Sequence, residues 1–145
     1  MNAYFDTSAL VKLLVTEPGS DFARALWDSA GSPVTSRITY VEARSALAAA
    51  WRARRLPEAT PDRSKQLLEG FFREMGVIEV DAAIARAAGD LAEQNGLRGY
   101  DAVHLASSLA LDPEDTVLVT WDRDLAWASY AAGLSLAGID LGDSG

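Results

Sequence analysis

The chain has 145 residues, the length of one compact domain spanning 1–145 that buries roughly two-thirds of its unfolded-state surface. Hydrophobic residues make up 49% and charged residues 23%, a balance that excludes a disordered, collagen-like or disulfide-scaffolded chain, and the lack of cysteine removes thiol catalysis and thiolate zinc sites. Lys and Arg number 13 against 21 Asp and Glu, a net charge of −8, which argues against broad, non-specific phosphate-backbone binding. It leaves room for a nucleic-acid enzyme whose acids hold divalent cations.

Met1 to Asp6 carries neither the basic start nor the apolar run of a secretory leader, and Lys12 interrupts the one early apolar stretch. No segment approaches the ~20 apolar residues of a membrane span, so the expected location is cytoplasmic, with no membrane partner. Short apolar runs alternate with segments of helical period, the pattern of βα units around a parallel sheet. Five strands are expected.

The first is Ala3 to Phe5, followed by Asp6-Thr7-Ser8 and a helix through Ala9, Leu10, Leu13 and Leu14. After the break Glu17-Pro-Gly-Ser20, a second helix runs through Phe22, Ala25, Leu26 and Ala30, and a very short strand lies around Val34 and Thr35. From Ile38 to Arg55 the positions Ile38, Val41, Ser45, Ala48 and Trp51 recur at helical steps, with Pro57 and Pro61 closing the segment. Leu67, Leu68, Phe71, Phe72 and Met75 mark another helix before a strand Val77 to Val80. Asp81 then caps a helix through Ile84, Ala87, Ala88 and Leu91 that stops at Asn95-Gly96. Beyond the loop Leu97-Arg98-Gly99, a helix spans Asp101 to Leu111. Thr116 to Thr120 is the clearest strand, Trp121-Asp-Arg-Asp124 opens a helix through Leu125, Ala128 and Ala131, and Leu134 to Ile139 ends the sheet before a loosely held tail from Asp140.

Ligands of open α/β sheets bind at the carboxyl ends of the strands. Asp6 directly follows the first strand, Asp122 lies two residues past the strongest one, Asp101 opens a helix behind a glycine loop, and Glu42 sits on the long helix beside Val41. Clustered carboxylates raise one another's pKa unless a cation joins them, and Mg²⁺ or Mn²⁺, which take oxygen ligands and orient phosphates, suit an acidic pocket that hydrolyses a phosphodiester. Each acid also has a plain structural reading. Asp6, Asp101 and Asp122 can be helix caps, as Asp81 is expected to be, and Glu42 a solvated surface residue.

Other sites are excluded by missing residues. There is no GxxxxGK or GxGxxG, and Gly133-Leu-Ser-Leu-Ala lacks the second glycine of a nucleophile elbow. The lone His104 lies three residues after Asp101. A satisfied helix-packing histidine is the favoured reading, ahead of a hydrogen bond to a site acid. Trp51-Arg-Ala-Arg-Arg55 reads as a solvated helix end more readily than as a phosphate contact.

Four blocks nevertheless resemble the PIN-domain nucleases, and among them the VapC-type toxins of toxin–antitoxin pairs. They are Tyr4-Phe-Asp-Thr-Ser-Ala-Leu-Val-Lys12, Thr39-Tyr-Val-Glu-Ala-Arg44, Tyr100-Asp-Ala-Val-His-Leu-Ala106 and Val119-Thr-Trp-Asp-Arg-Asp-Leu125. Their order and spacing span nearly the whole chain. The resemblance implies a three-layer α/β/α fold with a central parallel sheet, and an Mg²⁺- or Mn²⁺-dependent endoribonuclease whose catalytic and metal-binding acids are Asp6, Glu42, Asp101 and Asp122. It also implies an RNA substrate, a homodimer and a cognate antitoxin that occupies the groove. Thr7, Ser8 or Thr120 would orient a water or phosphate. Asp122, nearer the strand end, is assigned to the site ahead of Asp124.

Two other readings compete. A phosphoacceptor receiver domain needs paired acids after the first strand and a late lysine, whereas Thr7 follows Asp6 and the last lysine is Lys65; an Asp-x-Asp phosphatase fails at Ser8. A non-catalytic PIN-like binding protein has no physical reason to keep four mutually repelling carboxylates.

Overall fold

The computed structural model describes residues 1–54 and 60–142. Strands β1 (Asn2–Phe5), β2 (Ser32–Ser36), β3 (Gly76–Ile78), β4 (Thr116–Thr120) and β5 (Ser135–Gly138) form one sheet in the order β3-β2-β1-β4-β5, and every pairing is parallel. Among the described residues, seven helices connect them: α1 (Thr7–Leu14), α2 (Ser20–Ser29), α3 (Arg37–Arg52), α4 (Pro61–Glu74), α5 (Ala82–Asn95), α6 (Gly99–Leu109) and α7 (Arg123–Ala131), with a 3-10 turn at Pro113–Asp115. Receiver-type sheets run 2-1-3-4-5. The order found here removes that reading.

Alternation along the strands assigns the two faces, because successive side chains point to opposite sides of a pleated sheet. Ala3, Phe5 and Val119 join Leu10, Leu13, Ala43, Leu47 and Leu68 in one core, covered by α1 to α4. Tyr4, Val34 and Leu118 turn the other way onto Leu105 of α6 and Leu125 of α7. Ala88 of α5 packs on Ala102 and Ala106 of α6, where small side chains let the two helices approach. The α/β/α layering follows from these contacts.

Several boundaries differ from the expected ones. Helix α3 begins at Arg37 and ends at Arg52, and its core stripe is Thr39, Ala43 and Leu47, one step round from the large apolar residues. Val41 is 66% exposed and Ser45 is exposed as well, so the helix turns Thr39, Ala43 and Leu47 to the core in place of the stripe that hydropathy favours. Strand β3 stops at Ile78, leaving Val80 exposed. Helix α6 starts two residues before Asp101 and stops two before Leu111, and β5 is shorter at both ends. Arg55 and Pro57, and residues 143–145 of the tail, lie outside the described residues.

Gly138 ends β5 with a positive φ of 115°, and a Cβ there would lie 2.2 Å from the carbonyl oxygen of Thr120. Only glycine permits that approach. The next residue, Ile139, donates its N–H to the same carbonyl at 2.8 Å, fixing the carboxyl end of β4.

Candidate functional site

In this strand order the chain reverses direction across the sheet between β1 and β4, and the carboxyl ends of neighbouring strands at such a switch point define a crevice. Asp6 stands at the end of β1 and caps α1, its Oδ1 accepting from Ala9 N–H at 2.9 Å. Ser8 Oγ donates to Oδ1 at 2.7 Å and Thr120 Oγ1 to Oδ2 at 2.5 Å. The same two hydroxyls accept from the next turn, Ser8 from Trp121 N–H at 2.9 Å and Thr120 from Asp122 N–H at 3.0 Å. Two hydroxyls thus tie the β1 and β4 ends into one unit around a carboxylate that is only 3% exposed. Burial pushes Asp6 above its ordinary pKa; the His104 ring and the donors from Thr120, Ser8 and Ala9 pull it back in part.

Asp101 and Asp122 approach each other from α6 and the start of α7. Arg98 spans them, its Nε donating to Asp101 Oδ2 at 3.1 Å and its Nη2 to Asp122 Oδ2 at 3.2 Å. Burial and then the Asp122 charge raise the Asp101 pKa, while Arg98 opposes both. Asp101 occupies the third position of α6 and caps nothing, whereas Asp122 does cap α7 through Leu125 N–H at 2.9 Å. Capping and site membership are therefore compatible. Asp81, at the start of α5, is the plain cap it was expected to be, and Asp124 points to solvent from the first turn of α7.

Glu42 leaves α3 toward the same end of the sheet and meets the buried His104, whose Nε2 lies 2.8 Å from Glu42 Oε1. Thr7 Oγ1 donates to that oxygen at 2.7 Å. On the other side of the ring, Tyr4 Oη lies 2.8 Å from Nδ1. An ionised carboxylate only accepts, so Nε2 carries a proton toward Glu42, while Tyr4 Oη and Nδ1 share the bond on the far side of the ring. Burial, joined by the charges of Asp6 and Glu42, raises the Tyr4 pKa well above its usual value and keeps the phenol protonated. Burial alone would raise Glu42, but the bonds from His104 and Thr7 outweigh it and the net shift is downward.

His104 thus packs in the core and also bonds a site acid, where the sequence favoured packing alone. Thr7, Ser8 and Thr120, expected to orient water or phosphate, are each committed to a carboxylate. Arg98, which reads in the sequence as a loop residue, joins the site; its place three positions before Asp101 at a helix start is the signal for it. The basic run at the end of α3 is exposed through Arg54, as a solvated helix end should be.

Among the described residues, no three acids or histidines stand close enough to chelate one ion as they are arranged. The donor chemistry nonetheless fits a hard divalent cation. The converging groups are carboxylates, burial raises the pKa of Asp6 and Asp101, and Asp101 and Asp122 already share a single positive group.

A PIN domain model matches residues 3–130. Ribonuclease VapC49 of Mycobacterium tuberculosis strain H37Rv is 44% identical over 138 residues, covering 95% of this chain and 96% of the relative. Ribonuclease VapC47 from strain CDC 1551 of that species is 32% identical, covering 84% and 85%. Among solved structures, the sarcin–ricin loop cleaving toxin VapC20 of Mycobacterium tuberculosis superimposes with a TM-score of 0.69 at 18% identity, over 91% of this chain and 95% of that one. DNA-bound VapBC of Salmonella typhimurium has a TM-score of 0.64 at 17% identity, over 95% and 98%. The chain belongs to the PIN-domain family and, within it, to the VapC-type toxins of toxin–antitoxin pairs. No described helix is long and apolar enough to cross a membrane.

Proposed function

We propose that the protein is an Mg²⁺- or Mn²⁺-dependent endoribonuclease that hydrolyses RNA phosphodiester bonds, acting as the toxin of its pair. The observation that carries this reading is the meeting of Asp101 and Asp122 over one shared positive charge at the switch point where Asp6 emerges. Asp6, Glu42, Asp101 and Asp122 would hold the cation. When bound, it lowers the pKa of a water and offsets charge on the phosphate. The rest falls to the chain itself. Thr120 and Ser8 fix the Asp6 carboxylate, and His104, steadied by Tyr4, fixes Glu42 and keeps it ionised.

The acidic pocket also supports a basic inhibitory segment from a cognate antitoxin, since opposite charge in a partly desolvated groove favours such contact. The ribonuclease and VapBC names of the relatives and neighbours support both this partner and the RNA substrate. A homodimer is part of the same reading. Purified protein should cut RNA with Mn²⁺ or Mg²⁺, stop in EDTA and recover on metal addition. Cleavage undiminished in excess chelator, or by Asp101→Asn protein, refutes the mechanism. Sequencing the new RNA ends after induction identifies the target, and co-expression with the neighbouring reading frame should relieve growth arrest.

A further inference from the structure

Among the described residues, Arg98 is the one basic side chain set between two of the candidate metal-binding acids, and its geometry is that of a loosely held bridge. The Nε and Nη2 edge of a guanidinium ordinarily meets both oxygens of a single carboxylate. Here that edge is divided, one nitrogen to Asp101 Oδ2 and the other to Asp122 Oδ2. Its bonds of 3.1 and 3.2 Å are longer than the roughly 2.7–2.9 Å of a well-formed charge-assisted contact. The Arg98 side chain is 58% exposed against 6% for Asp101. It leaves the N-cap position of α6 from extended backbone, makes no capping bond, and lies over the exposed Tyr100 ring at 5.0 Å.

We infer that Arg98 is a built-in counter-ion that takes the cation's place between Asp101 and Asp122 and is displaced as the metal enters, setting the metal concentration at which the site loads. The inference rests on the metal-dependent reading above. Asp101 and Asp122 would both be ligands of the cation, and a guanidinium held between the same two carboxylates repels it. Metal binding must therefore break both bonds or bear the repulsion, and either weakens it. Repulsion between a unit charge and a dication about 4 Å apart, even at the dielectric of water, corresponds to a weakening of more than tenfold. Exposed ion pairs of this kind break at a cost of only a few-fold. Displacement is the cheaper route and breaks two such pairs at a few-fold each, so the expected penalty is near tenfold.

The test is calorimetric titration of metal-stripped protein with Mn²⁺ at pH 8. Arg98→Ala should bind about tenfold more tightly than wild type, and Arg98→Lys, which keeps the charge and loses the divided edge, should fall between. Arg123→Ala is the control. It removes an equal charge next to Asp122 from a side chain that makes no ion pair among the described residues. In wild type, the Arg98 Nε–Hε resonance should shift as Mg²⁺ saturates the site. Equal or weaker binding by Arg98→Ala, a gain no larger than that of Arg123→Ala, or an unmoved resonance at saturation overturns the counter-ion role alone. If neither wild type nor variant binds Mn²⁺, the metal-dependent reading falls, and the counter-ion role with it.

Discussion

Replacing Thr120 with valine keeps the shape of a fully buried side chain and removes the hydroxyl that joins β1 to β4. Asp6 then loses the donor to its Oδ2, and Asp122 N–H loses its acceptor. A hydrogen bond to a charged group contributes about 1.5–3 kcal/mol, and the half-buried amide, which water can reach, adds less, so the metal-free protein should lose about 3 kcal/mol at pH 7. For a chain of this length that is a fall in Tm of roughly 6–12 °C. The pH dependence follows from Asp6. Its folded pKa is raised by burial, so between the ordinary carboxyl value and the folded value the native state holds a proton that the unfolded state has released, and the stability it contributes is full below the ordinary value and lost as pH rises through the folded one. Removing the Thr120 donor raises that value further. The cost of Thr120→Val should therefore be largest near neutrality and shrink by pH 4. Urea unfolding in EDTA at both pH values measures it, with Thr120→Ser as the variant that keeps the hydroxyl. A cost below about 0.5 kcal/mol at pH 7, or one equal at the two pH values, would show that Thr120 does not hold the Asp6 carboxylate in its charged form.

Asp6→Asn and Asp101→Asn should abolish RNA cleavage in a gel assay while leaving the metal-free fold as stable as wild type or more so at pH 7, since each removes a charge that burial penalises. Asp81→Asn should change neither measurement, because Asn caps a helix about as well as Asp. Asp122→Ala should weaken Mn²⁺ binding and cleavage more than Asp124→Ala, whose side chain faces solvent; the reverse order would move the fourth acid to Asp124. Tyr4→Phe should cost about 1–3 kcal/mol in urea unfolding, because His104 Nδ1 is left buried without a partner. A neutral result there would mean that the ring needs no second contact to hold Glu42.

Much of this protein is local and can be read along the chain. The β-branched run Thr116 to Thr120, the caps at Asp6 and Asp81 and the left-handed stop at Gly96 each depend on a few consecutive residues, and each forms as its own neighbourhood dictates. The alternation of short apolar runs with helical segments likewise implies a parallel sheet, because crossover helices must cover both faces. Spacing could bring the four acids to one end of that sheet, but not say what each would touch. Tertiary structure alone decided that. The rotation of α3, which turns Thr39, Ala43 and Leu47 inward in place of Val41, depends on how closely the helix can approach the sheet. Tyr4 and His104 meet across 100 positions, His104 and Glu42 across 62, and Asp6 and Thr120 across 114. Arg98 acquires its role only when α6 and α7 bring Asp101 and Asp122 to the same guanidinium. Such contacts are set by strand order and helix packing, and a periodicity that repeats every two or four residues carries no information about them.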